Sequence, residues 1–256
     1  MSGGVQAPSY FLDEVYFMDL TAVSLFILVL VVPASFVLSS SAGLGGSLIL
    51  VPALVMALGT KEGIALAALL LAVNNLAKMG AYRHSIPFSK AAMIALAVMT
   101  GAALGASIMI MAPESWVRYA VILALLLTFA GDFLVTGPLR RVWALLLALT
   151  SGATSGFSGT SGPLKGVAIR SLQLPRQYFV GAASLVSLVG DVSKVAIFSY
   201  SGLLDHSQLL LAAVLAPVMI VSTLGGRQIN KNVGEKGFAF LFWSIMAGYT
   251  LRLVLL

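Results

Sequence analysis

The chain contains no cysteine. Disulfides and thiolate metal sites are therefore excluded. Charge is scarce: Asp, Glu, Lys and Arg make up 9% of the 256 residues, against roughly 25% in soluble domains. No stretch is long or polar enough to form a separate water-soluble domain. Histidine is nearly absent, and His84 and His206 read as loop residues at no metal-ligand spacing. No Walker A, HExxH or GxSxG pattern occurs, which argues against ATP hydrolysis by this chain and against the familiar intramembrane chemistries. No Lys or Arg precedes Lys61. The opening MSGGVQAPSYFLDEVYFMDL thus lacks the basic start of a secretory signal, and the first apolar run reads as a retained membrane segment.

What the chain does have is apolar bulk. Hydrophobic residues make up 59% of it and the mean hydropathy is +1.02. The class is integral membrane protein. The formal charge of +6 is then read as loop residues that set orientation, not as a nucleic-acid footprint. A crossing helix needs about 20 apolar residues. Six regions fit simple crossings: 62–81, 89–112, 116–136, 178–200, 207–226 and 236–256. Two longer apolar runs, 19–60 and 141–173, are each interrupted by small polar residues. Each is long enough to cross and return if its helices are short or broken.

Basic residues settle the count. If each broken run is a hairpin, one face collects Arg83, Lys90, Arg140, Arg141, Arg170, Arg176, Arg227, Lys231 and Lys236. The other face keeps Lys61, Arg118 and Arg252. The rich face is cytoplasmic by the positive-inside rule. The reading is about ten membrane segments, both termini outside. Trp116, Trp143 and Trp243 serve as interface anchors or packing residues.

The two halves echo each other. Lys78 in NNLAKMGAY corresponds to Lys194 in GDVSKVAIF, Gly105 to Gly225, Glu114 to Glu235, and Pro52 to Pro163. Five segments per half turn the second half upside down, and inverted repeats are a transporter signature. The expected fold is all-α: an extracytoplasmic tail over 1–18, a first transmembrane repeat over 19–137 and a second, inverted one over 138–256. The broken helices fall at the Gly/Pro clusters.

The second cluster, SGATSGFSGTSGPLK from Ser151 to Lys165, holds four glycines, a proline and six hydroxyl residues. Glycine tolerates unusual dihedrals and proline removes a backbone donor, so together they break helices. Freed N–H groups at membrane depth need partners, and a resuming helix offers unpaired donors and positive dipole to an anion. Gly43, Gly45, Gly46 and Ser47 form the first candidate cradle. Ser155, Gly156, Ser158, Gly159, Thr160, Ser161 and Gly162 form the second.

SAGLGGSLILVPAL, SGFSGTSGP and SLVGDVSKVAIFSYSGLL resemble the TauE/SafE family of sulfite and organosulfonate exporters from about Val23 to the end. The resemblance implies a carrier of sulfite, sulfoacetate or related sulfonates in the bacterial inner membrane. It implies no cofactor. The partners are a small anion and membrane lipid, with room for a homodimer and none for nucleic acid.

Ionisable residues within a span are functional candidates by default. Lys78 sits near a segment end, where it could also snorkel to the interface. Lys194 has Asp191 three residues before it, on the same helix face, so the two read either as a local pair or as part of a site. Lys165 directly follows the second cradle, too far from the next loop for its stem to reach water. It either faces an anion or bridges to Asp132 or Asp191. Asn74 and Asn75 supply amide donors from the first repeat, or interhelical hydrogen bonds. The rival readings are an anion channel and a carrier of a non-sulfur organic anion; deep charges in inverted repeats suit a carrier better than a pore.

Overall fold

The computed structural model describes residues 27–42, 45–131, 141–161 and 164–232. The described residues are helical throughout, with no strand. A π-helical turn, Ile27–Val31, leads into α1, Val32–Ala42. Then follow α2 (Gly46–Leu58), α3 (Thr60–Ala81) and, past the short 3-10 turn Arg83–Ser85, α4 (Phe88–Met111) and α5 (Glu114–Gly131). The second half holds α6 (Arg141–Ser158), α7 (Leu164–Arg170), α8 (Arg176–Tyr200) and α9 (His206–Asn232).

Four helical stretches are long and apolar enough to span a membrane: Thr60–Ala81, Phe88–Met111, Gln177–Tyr200 and His206–Gln228. They coincide with four of the six simple crossings expected from hydropathy. A fifth, 116–136, falls on α5 as far as Gly131, and its remainder lies outside the described residues. The segment 236–256 lies outside the described residues, as do the tail 1–18, Gly43, Asp132, Arg140, Gly162, Pro163, Glu235, Lys236, Trp243 and Arg252.

Both long apolar runs are broken. The first breaks between Ala42 and Gly46, where Gly45 takes φ 104°, a left-handed conformation that a side chain would resist. The second breaks after Ser158, where Gly159 takes φ 76°. One expectation needs correction. Pro52 was paired with Pro163 as a breaker, yet Pro52 lies inside α2 and is buried. At the first break the described turn is made by Gly45, and α2 carries its proline within an otherwise continuous helix.

Helix α3 packs against α2, α8 and α9; α4 packs against α6 and α8; α1 packs against α9. One apolar core gathers Phe36, Leu50, Ile64, Leu66, Met109 and Phe198, and a second gathers Ile94, Val98, Ala148, Ala183 and Val186. Helices in lipid gain little from apolar burial alone, so close contact between small residues carries much of the association. The α4–α6 seam is of this kind. Side chains added at Gly101 or Gly105 would run into the backbone of α6, and ones at Gly152 or Gly156 into that of α4. The outward faces of α4 and α5 remain apolar, with Leu96, Leu104, Ile108 and Leu123 exposed.

Candidate functional site

A polar network runs through the packing of α1, α3, α6, α7, α8 and α9. It begins at Ser39 on α1, whose hydroxyl accepts from Asn74 Nδ2 at 3.1 Å and from Lys78 Nζ at 3.0 Å. Asn74 Oδ1 in turn accepts from Thr223 Oγ1 of α9 at 2.9 Å. On the other side, Lys194 Nζ donates to Ser155 Oγ of α6 at 3.1 Å and pairs with Asp191 Oδ1 at 2.7 Å. The two sides join where Asn75 Nδ2 donates to Asp191 Oδ2 at 2.6 Å. A carboxylate offers only acceptors, so this contact fixes the amide: nitrogen towards Asp191, oxygen away.

The arrangement is doubled. Ser39 and Lys78 are 39 residues apart, and so are Ser155 and Lys194. Asn75 precedes Lys78 by three residues as Asp191 precedes Lys194, and the two equivalent positions touch each other across a separation of 116 residues. The halves differ at this point by one functional group: an amide in the first, a carboxylate in the second.

Lys165 completes the cluster as the second residue of α7. Its Nζ donates to Ser187 Oγ, one turn before Asp191 on α8, at 3.3 Å. Lys78 and Lys165 both feel the Asp191 charge. All four ionisable groups are out of solvent: relative exposure is 1% for Lys78, 7% for Lys165, 3% for Asp191 and 1% for Lys194. Three buried lysines thus share one network with the one buried carboxylate among the described residues. Burying an ion without a partner costs several kcal/mol, so an excess of cations at such depth favours an anion. Two buried polar atoms have no partner among the described residues, Asn75 Oδ1 and Ser151 Oγ.

The cradle residues divide. Gly46 opens α2 directly against Ser39, whose Cβ a side chain there would meet at 2.8 Å. This brings the first turn of α2, with Gly45 and half-buried Ser47, to the Lys78 end of the network. In the second cluster Ser155 binds Lys194 directly. Ser158 turns its hydroxyl to backbone carbonyls, Thr154 O at 2.8 Å and Thr160 O at 3.2 Å. Thr160 and Ser161 are buried beside the break. Gly156 faces the backbone of α4, and Gly159 faces Val51 and Ile64 of the apolar core. Ser39, Ser187 and Thr223 were not anticipated. The spacing held a signal for Ser39, which precedes Lys78 by the interval that separates Ser155 from Lys194.

Apolar spanning helices, two chain breaks and a buried cationic cluster define an integral membrane protein built to handle an anion. The chain belongs to the Sulfite exporter TauE/SafE family, whose profile matches residues 25–253. It is a membrane transporter of that family, which is not a family of enzymes. No curated protein and no solved structure matches the chain.

Proposed function

We propose that this chain exports a small sulfur oxyanion, such as sulfite, sulfoacetate or a related organosulfonate, across the bacterial inner membrane by alternating access. The observation that carries the reading is the meeting of two Ser–Lys pairs at the Asn75–Asp191 contact. Lys78, Lys165 and Lys194 provide the positive field, Ser39 and Ser155 hold the Lys78 and Lys194 ammonium groups, and Asn74 and Asn75 add amide donors. The first-turn amides of α2, beginning beside Ser39, contribute further N–H groups with the positive end of a helix dipole.

Two inverted repeats, 19–137 and 138–256, would bring equivalent residues face to face on a twofold in the membrane plane, as Asn75 and Asp191 are. The packing pattern agrees: α4 lies on α6 as α9 lies on α1, and α3 lies on α8. With ten segments, the tail 1–18 and both termini fall outside the cell, and the basic loops fall inside. Outward movement of an anion is then favoured by about 2.3 kcal/mol per charge per 100 mV of inside-negative potential. Cysteine introduced at Ser2 and at Arg140 should be modified from opposite sides of the membrane.

The direct test is flux in proteoliposomes. Labelled sulfite should leave at a rate that saturates with internal concentration and rises when unlabelled sulfite is present outside. A flux linear in concentration and indifferent to the opposite side would favour an anion channel. Binding of acetate with affinity equal to that of sulfite and sulfoacetate would favour a non-sulfur organic anion.

A further inference from the structure

We infer that Asp191 is a placeholder anion. It offsets part of the charge of the lysine cluster while the carrier is empty, and the substrate relieves it of Lys194 when the carrier is loaded. The inference rests on the anion-carrier reading above and adds a role for one residue to it.

The geometry makes Asp191 an internal competitor for substrate. Its Oδ1 lies 2.7 Å from the Lys194 ammonium, which also donates to Ser155 at 3.1 Å. Two of the three ammonium N–H groups are thus engaged, and an incoming anion that pairs with Lys194 competes with the carboxylate for its charge. Asp191 keeps a second partner when Lys194 is taken, because Asn75 of α3 donates to its Oδ2 at 2.6 Å, and Lys165 of α7 binds Ser187 one turn away on α8. The other ionisable side chains on the elements around α8 are Lys61 and Glu62 on α3, Arg170 on α7, Lys90 on α4, Arg141 on α6, and Arg83 and His84 before α4. Lys61, half-buried at the start of α3, donates to Ile110 O. The other six are exposed near helix ends.

Alternating access needs two crossings per cycle, one loaded and one empty. In the loaded crossing the substrate supplies negative charge to three buried lysines. In the empty crossing nothing outside the protein does. A cluster of uncompensated ammonium groups would then have to stay solvated on one side, since withdrawing it from water is costly. Asp191 lowers that obstacle by offsetting part of the charge in the substrate's place. The partner position explains why one half suffices: Asn75 occupies the equivalent site with a neutral amide, which donates to Asp191 at 2.6 Å and leaves its own Oδ1 without a partner among the described residues. A second carboxylate there would offset one more lysine charge and cut the site's attraction for anions.

The consequence is kinetic and separable from binding. Asp191→Asn should keep anion exchange, in which both crossings are loaded, and lose net efflux, which requires the empty return. Proteoliposomes loaded with radiolabelled sulfite measure both, with and without unlabelled sulfite outside. The expected result is net efflux reduced roughly a hundredfold, as for breaking a buried ion pair, with exchange kept within severalfold of wild type. Equal losses of both rates, or no loss of either, overturn the inference. If Asp191→Asn does not fold, the exchange variant Asn75→Asp/Asp191→Asn retains one carboxylate against three lysines. It should support net efflux, and a folded swap variant limited to exchange overturns the inference as well. A wild-type protein that neither binds nor moves sulfite overturns the functional reading itself, and this inference with it.

Discussion

Asn75 and Asp191 lie 116 residues apart and touch at 2.6 Å, each three residues before a buried lysine that donates to a serine of another helix. One contact therefore ties the two halves of the chain and two Ser–Lys pairs into a single unit.

Lys165 can be removed without stranding a carboxylate, because the partner of its Nζ is the neutral hydroxyl of Ser187. Lys165→Leu should weaken sulfoacetate and sulfite binding by roughly 1–3 kcal/mol, the range for hydrogen bonds to charged groups. A zwitterion such as taurine should lose less. Isothermal titration on the purified variant measures this, and a uniform loss across all three ligands would make Lys165 structural.

Lys194 behaves differently. Lys194→Gln leaves Asp191 buried beside an amide, and breaking a buried pair from one side costs roughly 3–5 kcal/mol. Adding Asp191→Asn removes the stranded charge and should recover most of that loss. Thermal unfolding of both single variants and the double variant in detergent would give the coupling; strictly additive effects would argue against a buried pair.

The α4–α6 seam predicts a contrast between two glycines. At Gly156 a Cβ would meet Ala106 N at 2.6 Å, with backbone that has no room to give. Gly156→Ala should therefore lower folded yield sharply, by several kcal/mol (about 3 or more) in stability. Gly225 has nothing within 4 Å of the same position, and Gly225→Ala should stay within about 0.5 kcal/mol of wild type. Size-exclusion profiles and melting curves distinguish these outcomes.

Acid should act at the end of α3. Glu114 accepts from the Thr60 backbone N–H at 3.2 Å, and hydrogen bonds from Thr60 hold its carboxyl below the usual carboxylate value of 4.5. A lowered folded value means stability that is present above the unfolded pKa and lost as pH falls through the folded one. The Thr60–Glu114 tie should thus weaken below about pH 4.5. Since Glu114 is exposed, solvent screening keeps the effect small. Glu114→Gln should flatten the acid side of a melting-temperature profile while leaving its neutral value nearly unchanged.

Much of this arrangement was legible in the sequence because membrane burial leaves coarse traces. Apolar runs of spanning length gave the bounds of α3, α4, α8 and α9 to within a few residues. A lysine or aspartate inside such a run stands out, so Lys78, Lys165, Asp191 and Lys194 were found. Serines do not stand out in this way. Ser39, Ser187 and Thr223 matter because of which side chain another helix brings to them, and nothing local records that. Glycine is also ambiguous in a string of letters. Gly45 turns the chain, Gly156 admits the backbone of α4, and Gly159 does its turning against Val51 and Ile64 instead of opening a space for ligand. Pro52 misled for a related reason: a proline in an apolar run marks either a break or a helix that tolerates it, and neighbouring helices decide which.

The glycines between α4 and α6 also bear on how such a carrier moves. Backbones in direct contact have no side-chain cushion to deform, so they slip past one another only in steps of a helical turn, about 5.4 Å, or not at all. The pair then acts as a girder that transmits displacement along its length. Under the alternating-access reading proposed above, compliance would be left to the two places where the helices are already interrupted, beside Gly45 and Gly159, and those would serve as the joints about which rigid pieces swing.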